Sequence, residues 1–167
     1  MEQSEAGGEL QWDSVVIFLA AWLAVFGFYS MRKSLTIIEN AFIFLTVLIL
    51  SINFSWIVIE ELHRVEESRR GIDYTALLIS RSILIPMLLV IALNAIYLAK
   101  KNGGAWLAAL AAVVLIAGVN VLGLLLGIMK YVRWNLLYDI VYAAAMLGAA
   151  YGLHKLYRRS MRGEDAL

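Results

Sequence analysis

Cysteine is absent from the 167 residues of the chain, and proline occurs once, at Pro86. The first absence excludes disulfides, thiolate metal sites and cysteine redox relays. The second leaves one position where a helix must interrupt its own hydrogen-bond ladder. Charge is scarce as well: 16% of residues are charged, and the formal net charge is +1. A chain so nearly neutral exerts no pull on nucleic acid, and no nucleic-acid partner is expected. A secretory signal would open on a basic region, but this chain opens on Glu2, Glu5, Glu9 and Asp13. It carries no myristoylation or prenylation motif.

Catalytic signatures are missing too. No H-E-x-x-H zinc motif, Walker loop or dinucleotide fingerprint occurs, and the pairs Gly7-Gly8 and Gly103-Gly104 read as linker or turn glycines. The two histidines, His63 and His154, fall on opposite sides of the membrane reading below, so they cannot share a haem. Each reads as a solvated interfacial residue. Glu60-Glu61 and Glu66-Glu67 are adjacent carboxylates that point apart on a helix, not a built acid–base dyad. No catalytic residue, cofactor or metal is expected, and the chain does not read as an enzyme.

What is there is apolar. Hydrophobic residues make up 62% of the chain, and the mean hydropathy is +0.79. Runs of about 20 apolar residues can cross a bilayer as helices. Five such runs predict spans over residues 14–30, 35–62, 74–99, 105–129 and 134–154. The expected fold is all-α: a polytopic membrane helical bundle of five transmembrane helices, one domain over residues 1–167. Short polar connections make successive helices antiparallel neighbours. The loop from His63 to Asp73 is the longest and reads as the most solvated.

Eight basic residues near span ends lie on one side (Arg32, Lys33, Lys100, Lys101, Lys155, Arg158, Arg159, Arg162) and five on the other (Arg64, Arg69, Arg70, Lys130, Arg133). The positive-inside rule then predicts the N-terminus outside and the C-terminus in the cytoplasm of a multi-pass protein of the cell membrane. Trp12, Tyr29, Tyr74, Tyr97, Trp106, Tyr131, Trp134 and Tyr157 fall at span ends, where an aromatic belt sits.

Polar groups inside a span are costly and therefore informative. Glu39, Thr46, Asn53 and Glu60 repeat every seven residues along the second span. That spacing keeps them on one slowly drifting face, either a hydrophilic track or a hydrogen-bonding seam. Arg81 lies about two turns inside the third span, with Pro86 beyond it, so a kink and a freed Ser82 carbonyl are expected beside the charge. Arg81 either pairs with Glu60, Glu61 or Asp139, or snorkels to the headgroups. By depth, Asn53, Glu60, Arg81, Asn120, Asp139 and Tyr142 converge in the outer half as the candidate polar cluster. Asn94 lies deeper, on another face. Gly123 with Gly127, and Ala144 with Gly148 and Gly152, have the spacing of close-packing motifs, for a hairpin of the last two spans or for a dimer face.

Three functions remain open. The chain suits an accessory subunit, sensor or adaptor in a membrane complex, its partners being the lipid bilayer and a membrane protein or a second copy. Alternatively it handles a small ligand or ion through the polar cluster. A lipid-acting enzyme is disfavoured for want of a nucleophile–base pair.

Overall fold

The computed structural model describes residues 3–67, 71–100 and 103–164, the side chains at 3–11, 13, 60, 67 and 162–164 being outside that description. Helix α1 covers Gln3–Ser30 and α2 covers Ile37–Trp56, the latter continuing as a π-helical turn, Ile57–Glu61. A short strand, β1 (Val65–Glu67), follows. The third membrane segment is composite: α3 (Gly71–Ile79), a π-helical turn (Ser80–Leu84) and α4 (Ile85–Ala99). Helix α5 (Ala105–Leu125), strand β2 (Met129–Tyr131) and α6 (Leu136–Glu164) complete the chain.

The protein is a helical membrane bundle. Ile37–Ile59, Gly71–Ala99, Ala105–Leu125 and Leu136–Met161 are each long and apolar enough to cross a bilayer, and the apolar part of α1, Ser14–Ser30, is shorter. Outward positions carry large apolar side chains such as Trp22, Leu125 and Ile37. These suit a hydrocarbon solvent. The end of the bundle with the α1 start and both strands is called here the N-face. The end with the α1–α2 and α4–α5 connections is the C-face.

Lipid is as apolar as leucine, so packing and interhelical hydrogen bonds must hold such a bundle together. The main core joins α2, α4, α5 and α6 through Ile43, Val47, Leu89, Leu93, Ile116 and Ala143. The small residues that let α6 approach are Ala143 and Ala150, both buried. The expected stripe of Ala144, Gly148 and Gly152 faces outward instead. Gly127 lies beyond the end of α5 at φ +68°, where it turns the chain. Within the bundle, Gly123 keeps a packing role. A Cβ there would meet the Met129 Cε at 2.8 Å, so the glycine makes room for the β2 methionine.

Two loops expected to be irregular form a ribbon. β1 and β2 pair antiparallel, with Val65 opposite Tyr131 and Glu66 opposite Lys130, a favourable cross-strand charge pair. The Arg64 carbonyl accepts from Val132 N–H (3.0 Å) and Arg133 N–H (3.2 Å), which ties the ribbon to the start of α6. Backbone groups at this depth need such partners, and loops 68 residues apart supply them to each other.

Candidate functional site

Below the ribbon lies a cavity of about 70 Å³, room for about two waters by volume. Every membrane segment but α1 contributes to its wall, with Ser55, Ser80, Arg81, Asn120, Asp139 and Tyr142 as polar lining. Val65, Met129 and Tyr131 close it from the ribbon.

Asp139 organises the site. It is buried in the first turn of α6. Its Oδ1 accepts from Asn120 Nδ2 at 3.0 Å and from Trp134 Nε1 at 2.9 Å. Its Oδ2 accepts a short hydrogen bond from the Tyr131 hydroxyl. Three donors from α5, β2 and the α6 approach thus meet one carboxylate, the compensation a buried charge requires. Burial, and then the adjacent carboxylate, push the Tyr131 phenol above its ordinary value of 10. Both effects keep it protonated and donating.

Arg81 lines the same cavity from the π-turn of the third segment, half-buried. It therefore points into the bundle. The kink expected at Pro86 takes the form of that π-turn. The Ile85 N–H reaches back five residues to the Ser80 carbonyl. Pro86 then sits in the first turn of α4, directly after the π-turn, so the break in the ladder that its missing N–H makes falls where the helix already changes its hydrogen-bond step. On the opposite wall the Tyr142 hydroxyl donates to Ser51 Oγ at 3.3 Å, and its ring stacks on Phe54 at 4.4 Å.

Of the expected cluster, the structure brings together Arg81, Asn120, Asp139 and Tyr142. Glu60 is in the π-turn that ends the second segment, but its side chain lies outside the described residues. Asn53 does not join. It is exposed, and its amide bonds to the Ile49 carbonyl of its own helix at 2.7 Å. The sevenfold line fails because an α-helix drifts about 20° per heptad. Glu39 is buried and Thr46 half-buried, but by Asn53 the line has turned outward, and Ser51 takes the inward place.

Tyr131 and Trp134 are the cluster members that belt reasoning concealed. Read as interfacial aromatics, they turn inward to Asp139. Trp12, Tyr29, Tyr74 and Trp106 keep the belt position, all exposed. The available signal was a pair of aromatic donors eight and five residues ahead of a lone span carboxylate.

A second polar group lies at the C-face. His154, expected to be solvated, is fully buried. Its Nε2 is 3.2 Å from Glu39 Oε1 and its Nδ1 is 2.9 Å from the Tyr97 hydroxyl. Arg158 Nε donates a short bond to the same Glu39 oxygen, and its guanidinium lies 5.2 Å from the Tyr97 ring. Glu39 also forms a capping box with Thr36, receiving the Thr36 N–H on Oε2 at 2.8 Å. Beside it, buried Asn94 accepts the Ser34 and Leu35 N–H groups on Oδ1 (2.9 and 3.1 Å) and donates to Asn40 Oδ1 at 2.6 Å.

A family model described as the fungal trichothecene efflux pump (TRI12) matches residues 72–161. The matched segment runs from the start of α3 into the last turns of α6 and contains Arg81, Asn120, Tyr131, Trp134, Asp139 and Tyr142. No curated protein and no solved structure matches the chain.

Proposed function

Because the chain belongs to the fungal trichothecene efflux pump (TRI12) family, we propose that it moves a small organic molecule across the membrane through the cavity beneath the ribbon. The observation that carries this reading is the cavity itself: an aspartate and an arginine line one space inside a membrane bundle. Ionisable groups at such positions mark ligand or ion paths. Transporter sites are built where helices are interrupted, and π-turns interrupt both the second and the third segments beside this cavity. Sites for small organic ligands commonly enclose about 300–1,000 Å³. A space of about 70 Å³ is too small for such a ligand, and on this reading entry requires the ribbon to lift. Lifting removes the Tyr131 donor from Asp139, and a hydroxyl on the cargo replaces it. The cargo leaves chemically unchanged, no cofactor or metal taking part.

The N-face is assigned to the outside and the C-face to the cytoplasm of the cell membrane, in keeping with eight basic residues against five. The absence of cysteine makes this simple to test. Single cysteines placed at either end should react with an impermeant maleimide from opposite sides of intact cells.

The transport test uses proteoliposomes and a trichothecene as probe. Wild type should accelerate its passage over empty vesicles. Arg81→Ala and Asp139→Asn should each lower the rate about ten-fold. Equal passage through empty, wild-type and variant vesicles would refute the reading.

A second reading, an accessory subunit, sensor or adaptor beside a larger membrane protein or a second copy, is favoured by Asn53. An amide exposed within a spanning helix is unusual, because polar groups there normally face other helices. Crosslinking from Asn53→Cys in membranes should trap a partner under this reading. Only monomeric adducts would remove it.

A further inference from the structure

A groove of about 540 Å³ runs between α1, α2 and α4 at the C-face. Its walls are Phe28, Tyr29, Ile37, Phe44, Leu45 and Met87, with Ala41 and Val90 at the floor. The lining holds one charged residue, Lys33, whose Nζ lies 5.0 Å from the Phe28 ring and 5.7 Å from the Tyr29 ring. The polar member, Asn40, is already committed. Its amide donates to the Leu35 and Thr36 carbonyls, and its oxygen accepts from Asn94.

We propose that this groove binds one anionic phospholipid, with an acyl chain along α2 and the phosphate at Lys33. Three observations carry the assignment. Lys33 lies in the connection between α1 and α2, outside both helices, at the level where headgroups lie. From Ile37 to Leu45 the groove follows α2 for about 12 Å at 1.5 Å per residue. A leaflet is about half of a 30 Å hydrocarbon core, so the groove has the depth of one leaflet and not of the whole membrane. Its rim residues Tyr29, Ile37 and Leu45 are all exposed, so it opens sideways to lipid along its length.

Charge complementarity selects the headgroup. Arg32, exposed and next to Lys33 in sequence, adds a second cation to the same connection. The two rings fix Lys33 over the opening through cation–π contact, so the ammonium is held in place before lipid arrives. A zwitterionic headgroup carries its own cation and gains less. The groove shares no lining residue with the ribbon cavity, and the assignment is independent of the transport reading.

The test is native mass spectrometry of the full chain in mild detergent, titrated with phosphatidylglycerol or with phosphatidylcholine of identical acyl chains. Wild type should retain one phosphatidylglycerol with about five-fold preference, the effect of about one basic residue at a membrane surface. That preference should collapse in 0.5 M salt-exchanged samples, because the charges are exposed and screened. Lys33→Ala should abolish the preference, and Lys33→Arg should keep it. Ala41→Trp, at an exposed floor position, should remove retention of both lipids. Equal retention of the two lipids by wild type overturns the proposal without recourse to any variant. So does a preference that Lys33→Ala leaves intact, or displacement of phosphatidylglycerol by a trichothecene with no effect of Ala41→Trp on either.

Discussion

Two groups of ionisable residues occupy opposite ends of one bundle, and they are built to opposite plans. At the C-face, Glu39, His154, Arg158 and Tyr97 touch one another directly, and Asn94 closes the neighbouring backbone. At the N-face, Arg81, Asp139, Asn120 and Tyr142 line a space. The residue types are similar; what differs is whether room is left between them. Charges in contact hold helices in register. A charge beside a cavity has room to exchange a partner for a guest, as Asp139 does with Tyr131 on the transport reading. On the transport reading the first group serves stability and the second function, and substitutions should separate the two.

The largest effect on stability should come from Asn94→Leu. It leaves the Ser34 and Leu35 N–H groups of the α1–α2 connection without their acceptor. One orphaned buried donor and one part-buried donor cost about 2–3 kcal/mol together, read as a fall in thermal unfolding temperature in detergent. Transport should survive in the folded fraction. If Asn94→Leu is as stable as wild type, the C-face network is not what fastens the bundle.

Glu39→Gln should come next. It removes the charge between His154 and Arg158 but keeps the shape. Arg158 is partly open to solvent, so the discounted loss is about 1–2 kcal/mol by the same assay. Asp139→Asn should reverse the pattern, with a loss of about 1 kcal/mol but a fall of about ten-fold in transport. If it proves the more destabilising of the two and leaves transport intact, the contrast between the ends fails.

Tyr131 gives a pH test. Its phenol is held above 10 in the folded protein, so its contribution is fully present below that pH. The contribution is lost as pH rises through the elevated folded value. Ultraviolet titration of wild type minus Tyr131→Phe should show a component ionising later than an ordinary tyrosine. A difference spectrum centred on pH 10 would place Tyr131 away from Asp139. The smallest effect belongs to Tyr142→Phe, which removes one 3.3 Å bond to Ser51. Interhelical bonds of this kind average about 0.6 kcal/mol, so stability should scarcely change.

The spans were legible because run length alone separates lipid-crossing helix from loop, and all five runs are helices. Depth was legible too, because Arg81, Asn120, Asp139 and Tyr142 could be placed by counting from span ends. Rotation was not. Asn53 turned outward because a sevenfold repeat drifts on an unsupercoiled helix. Ala144, Gly148 and Gly152 turned outward because small size permits close approach without requiring it. His154 was misread for the opposite reason: its burial depends on Glu39, 115 positions away, and on Tyr97. The ribbon was hidden because three-residue strands carry no periodic pattern, and their pairing joins two loops distant in sequence.

The π-turns set the rotational phase of the segments they interrupt. Each accommodates one residue more than an α-turn, and one residue on a helix is about 100° of rotation. If the turn at Ser80–Leu84 relaxed to α geometry, everything on its N-terminal side would swing by that angle relative to α4. Leu77 would leave the cavity wall, and the Ser14–Asp73 hydrogen bond to α1 would be pulled out of alignment. The third segment is thus geared: a change of one hydrogen-bond step at its middle becomes a screw motion at the end that carries the loop into β1.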